Sequence, residues 1–587
     1  MELVINRRFN EKDLPDMQTI RDEAHRRAAG IIIPETLFMK THGVRSEAEY
    51  KRKMMAEHRV TTHAHIGWAD VNYTADAFHQ IYDALHAEGY ELSRFGVCLD
   101  GSMGVPEKYR DRVIAGSGQV YHSPEEWKIL PNEVPVAVHM GDHMIGSLNS
   151  TENVCNALNG GVTTIGNISH YFSYEYAGFD MELERTIDTC TAIGVMGELR
   201  DRGTIIHSNL DDGFGGQLHD VANLVGWARL ERYFVEDLLG GGMNHCFGNL
   251  FSDPILRIIF SKAMWDINTY KTPGSMIYGN TTDFGANFPS NYSALASFTM
   301  ADIIAQRKWP TGCAVTGIPV TEAIRVPSVQ EIIDAHMSIK TTMEKAEYYA
   351  QYLDFDRIEE QAHTLVVAGN VFFERVINAL DDLGVDIHHP GQVMAMLKAI
   401  GAEQLEINFG AGRKDPDAMR GRVPVWPTNI VRKINDIGDK LVSSVEGLDK
   451  KPLQGVNVVM ASTDIHIFGK EVIKRILREA GANIYDLDQS VPTQEVVDTA
   501  VETESKVLCI STHNGMAYGY AKDLSSKLSD AGLGDVLVIM GGLMNEALPG
   551  KNLPEDVSGL VAELGFNVDN DAEKIVDVIA HHVGKIA

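Results

Sequence analysis

The chain has 587 residues, with 52 Lys and Arg against 81 Asp and Glu and a formal net charge of −29 at pH 7. That length exceeds what one ordinary core organises and predicts two or three domains, while the acidic balance argues against nucleic acid and anionic membrane as partners, since both would repel it. No apolar run reaches the roughly 18 residues a membrane helix needs, and the start, Met1-Glu-Leu-Val-Ile-Asn-Arg-Arg, has no apolar signal region, so a cytoplasmic protein is expected. Six cysteines at 98, 155, 190, 246, 313 and 509 form no C-x-x-C pair, which argues against an iron-sulfur centre, a zinc ribbon or a disulfide scaffold and reads the thiols as buried bystanders.

From the N-terminus, short β-rich runs alternate with helix-length segments: Val60-Thr62, Arg94-Leu99, Val134-Met140, Gly161-Gly166, Thr204-Ser208, Met243-Phe247, Ser275-Tyr278 and Cys313-Thr316. Eight βα units predict a TIM (β/α)8 barrel over residues 1–330. Nearly every run contains or precedes polar residues that a plain strand-to-helix loop does not need: His63 and His65, Asp100, His139 with Asp142 and His143, Asn167 and His170, His207 and Asn209, Asn244 and His245, and Asn280. Taken singly, each reads as a loop residue or a cap, as Asp142, Asp211 and Asp212 do. Together they mark the carboxyl-terminal face where barrel active sites form, with His65, Asp100, His139, His170 and His207 as catalytic candidates.

Residues 331–450 read as a helical extension and linker, with core-facing rhythm in Ala346, Ala350 and Leu353 and in Phe373, Val376 and Leu380. The segment from Gly410 to Arg422 reads as a flexible basic loop whose Arg413, Lys414, Arg420 and Arg422 are either solvated surface or contacts to an anionic ligand. Turn chemistry between Val431 and Gly455 predicts a domain boundary there. Over 451–587 a doubly wound α/β domain follows: the apolar run Val456-Asn-Val-Val-Met-Ala461 leads into Asp464-Ile-His466-Ile-Phe-Gly469 and then a helical pattern, and the runs Lys506-Ile510 and Val536-Met540 end in Ser511-Thr-His513 and Gly541-Gly542. In the first loop His466 can offer an imidazole nitrogen to a metal while Asp464 accepts the proton on the other nitrogen.

This trio of loops resembles the D-x-H-x-x-G, S-x-L and G-G signature of base-off, His-on cobalamin domains, with His513 standing where that signature has Leu. The resemblance implies a flavodoxin-like (Rossmann-like) domain in which His466 is the lower cobalt ligand and Asp464 its partner, Gly469 turns the chain, Ser511 lies near the displaced nucleotide tail, and Gly541 and Gly542 make room for it. A second stretch, Thr316-Gly-Ile-Pro-Val-Thr-Glu322-Ala-Ile-Arg-Val-Pro-Ser328, is similar to the last barrel unit of the glutamate mutase large subunit, as is Ile407-Asn-Phe-Gly410, and implies that Glu322 approaches the adenosyl ribose. Barrel followed by cobalamin domain is the order of 2-methyleneglutarate mutase.

The resemblance therefore implies an adenosylcobalamin-dependent carbon-skeleton mutase, a homodimer or higher homo-oligomer, acting on a small carboxylic acid. Where glutamate mutases grip two carboxylates with arginines, this chain has His63-Ala-His65, Ser102-Met-Gly104 and His139-Met-Gly141, which favours a 2-methyleneglutarate-type acid over glutamate and leaves carboxylate binding to Arg94, Arg110, Arg200 or the histidines. Two alternatives stand beside it. A corrinoid methyltransferase would use the same cobalamin loop, and a metal-dependent hydrolase would use His63-Ala-His65 as the H-x-H of a zinc site.

Overall fold

A computed structural model describes every residue except 1, 2, 4, 114, 115, 177, 417, 419, 446, 465, 467, 488, 514, 549–553, 569, 570 and 587. Ile465 and Ile467 of the Asp464 loop, Asn514 after His513, Asp417 and Met419 of the basic segment, and Glu446 of the boundary turn thus lie outside the described residues. The chain divides into two compact units, one comprising Met1–Glu107, Gly118–Phe172 and Met181–Thr428, the other Lys108–Ser117, Ser173–Asp180 and Asn429–Ala587. Among the described residues no helix is long and apolar enough to cross a membrane.

The first unit is an eight-stranded parallel barrel: β1 Thr62–His65, β2 Arg94–Val97, β3 Ala137–Met140, β4 Thr164–Ile165, β5 Ile205–Asn209, β6 Met243–Cys246, β7 Met276–Ile277 and β8 Ala314–Thr316. The strands pair in the order β6-β5-β4-β3-β2-β1-β8-β7, and a single bridge between Phe247 and Ile277 brings the ends of the ring together. β1 runs through His63 and His65, whereas the sequence places the strand at Val60-Thr62 with both histidines beyond it. The shift has a physical cause: this barrel's interior is polar, so inward-facing His63 and His65 flank the fully buried Ala64 and the usual apolar alternation is absent.

Each strand is backed by a helix whose ends are set by local chemistry. Asp70 accepts the backbone N–H groups of Asn72 and Tyr73 and starts the helix Val71–Ala87, which packs Phe78 in a stack at 3.9 Å on Phe95 of β2. Ser328 and Glu331 close a reciprocal capping box at the start of Val329–Ala350. That helix and Phe355–Asp382, Pro390–Ile400 and Ala402–Phe409 form the helical extension, which clusters with the barrel up to Thr428. The basic segment is not a loose loop: Arg413–Lys414 and Arg422–Val423 pair as a short antiparallel ladder. Arg422 donates to the carbonyls of Ile407, Asn408 and Gly412 at 2.9, 2.7 and 3.0 Å, so its guanidinium caps a helix end.

In the second unit the helix Asn429–Ser444 precedes five parallel strands, β9 Asn457–Ser462, β10 Asn483–Asp486, β11 Val507–Thr512, β12 Leu537–Gly542 and β13 Asn567–Val568. Their spatial order, β10-β9-β11-β12-β13, is the doubly wound flavodoxin-like arrangement. Two apolar cores, one around Leu508, Val538 and Leu524 and one around Val458, Ile476 and Ile579, cover the faces of the sheet, which explains why its strands read as continuous apolar runs.

Candidate functional site

At the carboxyl edge of the second unit's sheet, β9 delivers Asp464 and His466. Asp464 is fully buried, and its Oδ1 accepts both the His466 backbone N–H at 2.9 Å and the ring Nδ1–H at 2.8 Å. Its Oδ2 accepts the His513 N–H at 2.6 Å. These bonds hold the Asp464 carboxyl well below its ordinary range despite burial that opposes ionisation. An ionised, immobile carboxylate fixes the proton of His466 on Nδ1, so the nitrogen able to ligate a metal is Nε2 on a side chain that is 34% exposed. The rings of His466 and His513 lie 4.2 Å apart, and burial with the neighbouring His466 pushes His513 down to about 4. The sequence flagged His513 only as a departure from a pattern; the structure makes it a wall of the His466 site.

Beside this pair opens a cavity of about 290 Å³, whose lining includes Gly469, Ser511, Gly541 and Gly542 together with apolar Met460, Ile473, Ile539 and Val578. The first four are residues singled out from sequence. Glycine is required at 542, where φ is +112° and a Cβ would stand 2.2 Å from the Thr512 carbonyl oxygen. An apolar cavity next to an oriented imidazole suits a metal-bearing ring system with a heterocyclic tail. The donor set and the slot fit a cobalamin bound through His466.

Residues 455–579 match the family model described as B12 binding domain. The chain is 29% identical over 117 residues to the glutamate mutase sigma subunit of Carboxydothermus hydrogenoformans, a stretch covering 20% of this chain and 83% of that one. It is 27% identical over 136 residues to the 2-hydroxyisobutanoyl-CoA mutase small subunit of Aquincola tertiaricarbonis, covering 22% and 93%. With the fused isobutyryl-CoA mutase of Nocardia farcinica it shares 33% over 97 residues, covering 16% and 8%. The chain carries a cobalamin-binding domain with homology to mutase subunits. These likenesses cover that domain alone.

The barrel gathers the remaining candidates. His63, His139 and His207 are buried inside it, with ring centroids 6.4 Å apart for the first pair and 4.6 Å for the second, and His65 lies 5.7 Å from His63. Two glycines make room for these rings: a Cβ on Gly96 would stand 2.4 Å from His63, and one on Gly166 would stand 2.5 Å from His207. Beneath the rings Arg94 donates to the Ser275 carbonyl at 2.7 Å and to its hydroxyl at 3.2 Å. Lys51 donates to the carbonyls of Gly274 and Ser275 and pairs with Glu47 at 3.1 Å, closing the far end of the barrel. Burial first, and the Arg94 charge second, holds His63, His139 and His207 well below the ordinary imidazole range, so all three are neutral.

At the rim the Nε2–H of His170 faces Asp142 at 3.2 Å while its Nδ1 accepts the His143 N–H at 3.3 Å. Asn167 links Asp142 to Asn209. Burial pushes the Cys98 thiol and the Tyr278 phenol well up, and the negative charge of Glu322 adds to both. Asp100 Oδ1 accepts the Ser102 N–H at 2.9 Å and hydroxyl at 2.6 Å and caps a short turn. Cys98 is not a bystander. It follows β2 at the mouth, with Sγ 3.1 Å from His65 Nε2 and in hydrogen-bond contact with Asp142. Among the described residues no group of three or more His, Cys, Asp or Glu is arranged to hold a metal ion, so His63 and His65 come without the partners a zinc hydrolase needs.

Proposed function

We propose that the chain is an adenosylcobalamin-dependent mutase that rearranges the carbon skeleton of a small carboxylic acid. The observation that carries the reading is the oriented Asp464-His466 pair beside a cavity lined by Gly469, Ser511, Gly541 and Gly542. Homology to subunits of mutases supports the reaction class. When bound, adenosylcobalamin supplies a weak cobalt-carbon bond as the source of radical chemistry.

The protein's own residues do the rest. Asp464 fixes the tautomer and aim of His466, and Gly541 and Gly542 keep the tail slot open. In the barrel His65, His139, His170 and His207 bind and orient the substrate from a lining rich in neutral imidazoles, and Glu322 adds a carboxylate near them.

The test is electron paramagnetic resonance of the anaerobic protein with adenosylcobalamin and a panel of acids including 2-methyleneglutarate and glutamate. A substrate-dependent cob(II)alamin signal, coupled to an organic radical and split by one axial nitrogen, is the expected result. A silent spectrum with cobalamin bound would turn the assignment toward methyl transfer, and failure to bind cobalamin would overturn it.

A further inference from the structure

The hydrogen-bond pattern inside the barrel fixes which imidazole nitrogens carry protons, and that in turn constrains the ligand. His139 Nδ1 lies 3.0 Å from the Thr164 carbonyl, which can only accept. Nδ1 therefore holds the proton, and the buried Nε2, which no described protein group bonds, is a bare lone pair. The Ser275 hydroxyl accepts from Arg94 and has His207 Nδ1, 2.6 Å away, as the acceptor for its own proton, so His207 carries its hydrogen on Nε2. Cys98 directs its thiol proton to Asp142, so His65 Nε2–H donates to Sγ and the buried His65 Nδ1 is a second unpartnered lone pair. His63 adds one donor and one acceptor, both buried and unpartnered.

Leaving so many buried nitrogens unmatched costs on the order of 1 kcal/mol or more each, and the backbone leaves space beside His139. A Cβ on Gly141 would lie 3.4 Å from His139 Nε2 and 3.6 Å from Cys98 Sγ, both ordinary contact distances. A carboxylate has no proton to give these lone pairs. An ammonium has protons but no lone pair with which to accept from a neighbouring imidazole N–H. A hydroxyl both donates and accepts and carries no charge.

We propose that the mouth of the barrel binds a hydroxyl group of the substrate, donating to His139 Nε2 or His65 Nδ1 and accepting from a neighbouring imidazole N–H, so that the substrate is a hydroxyl-bearing acid. The inference rests on the mutase reading for the word acid and deepens it by naming the second functional group.

The test is calorimetric titration of the full chain, without cobalamin, with 2- and 3-hydroxybutyrate, butyrate and the two corresponding aminobutyrates. At least one hydroxy acid should bind on the order of tenfold or more tightly than butyrate, with the amino acids weaker than either. Gly141→Ala introduces a Cβ at ordinary contact distances, so the barrel keeps its thermal transition while the preference for the hydroxy acid disappears; His139→Leu should remove the same preference. Equal binding of hydroxy acid and butyrate, stronger binding of an aminobutyrate, no heat with either hydroxy acid, or an unchanged preference in both variants overturns the proposal. The titration contains no cobalamin, so its outcome is separate from the radical signal that tests the mutase reading.

Discussion

Replacing Asp464 by Asn tests the centre of the proposed cobalamin site with almost no change of shape. The carboxylate is fully buried and accepts two hydrogen bonds from His466, at 2.9 and 2.8 Å, and one from the His513 N–H at 2.6 Å. An amide keeps one acceptor oxygen, so it can serve His466 or His513 but not both. One charge-assisted bond of about 1.5–3 kcal/mol is lost, and a donor is turned against a buried N–H. The expected cost to the C-terminal unit is about 2–4 kcal/mol, and cobalamin affinity should fall about 10- to 100-fold as the aim of His466 loosens. All six tryptophans, at 68, 127, 227, 265, 309 and 426, lie in the barrel unit. Urea unfolding followed by circular dichroism should therefore show an earlier transition that tryptophan fluorescence does not, and a visible-absorbance titration reports cobalamin binding. Wild-type affinity together with an unmoved dichroism transition would refute the reasoning.

Gly542→Ala forces a side chain onto a +112° backbone and against the Thr512 carbonyl; the C-terminal transition should lose about 2 kcal/mol or more, and an unshifted midpoint would contradict the strain argument. Lys51→Met leaves buried Glu47 short of its nearest cation, so the barrel transition read by tryptophan fluorescence should weaken by about 3 kcal/mol. Burial pushes Glu231, which faces His245 at 3.0 Å, up to about 8 from its ordinary 4.5. The folded state thus holds that proton more tightly, and the associated stability is complete below pH 4.5 and lost as pH rises through about 8. The slope is about 1.4 kcal/mol per pH unit. Glu231→Gln should flatten it, and an unaltered pH profile would show that another group carries the dependence.

The cobalamin unit was largely legible in the sequence because its signals are local. The strand before Asp464 is a continuous apolar run, the Asp464-His466 bond spans two residues, and Ser511 and Gly541-Gly542 stand at the ends of adjacent strands that the same pattern locates. A parallel sheet with both faces covered prints its strands as apolar stretches, and a loop at a strand end inherits its place from them. The eight barrel runs were legible because each short β-rich stretch precedes a helix-length segment, apart from β1, whose strand runs on through His63 and His65.

Only the tertiary structure decided what the barrel's interior contains. Lys51 meets a carbonyl 223 residues away, Arg94 one that is 181 residues away, and Cys98 finds His65 across 33. A buried cation in sequence looks like a surface one, and a lone cysteine looks inert, because burial and partners are properties of closure, not of neighbours along the chain. The tautomers of His139 and His207 follow the same logic, since each is set by an oxygen from another strand or loop. Local sequence thus determined the Asp464-His466 loop and the order of elements, and the closing of the ring determined which described buried nitrogens are left without a protein partner.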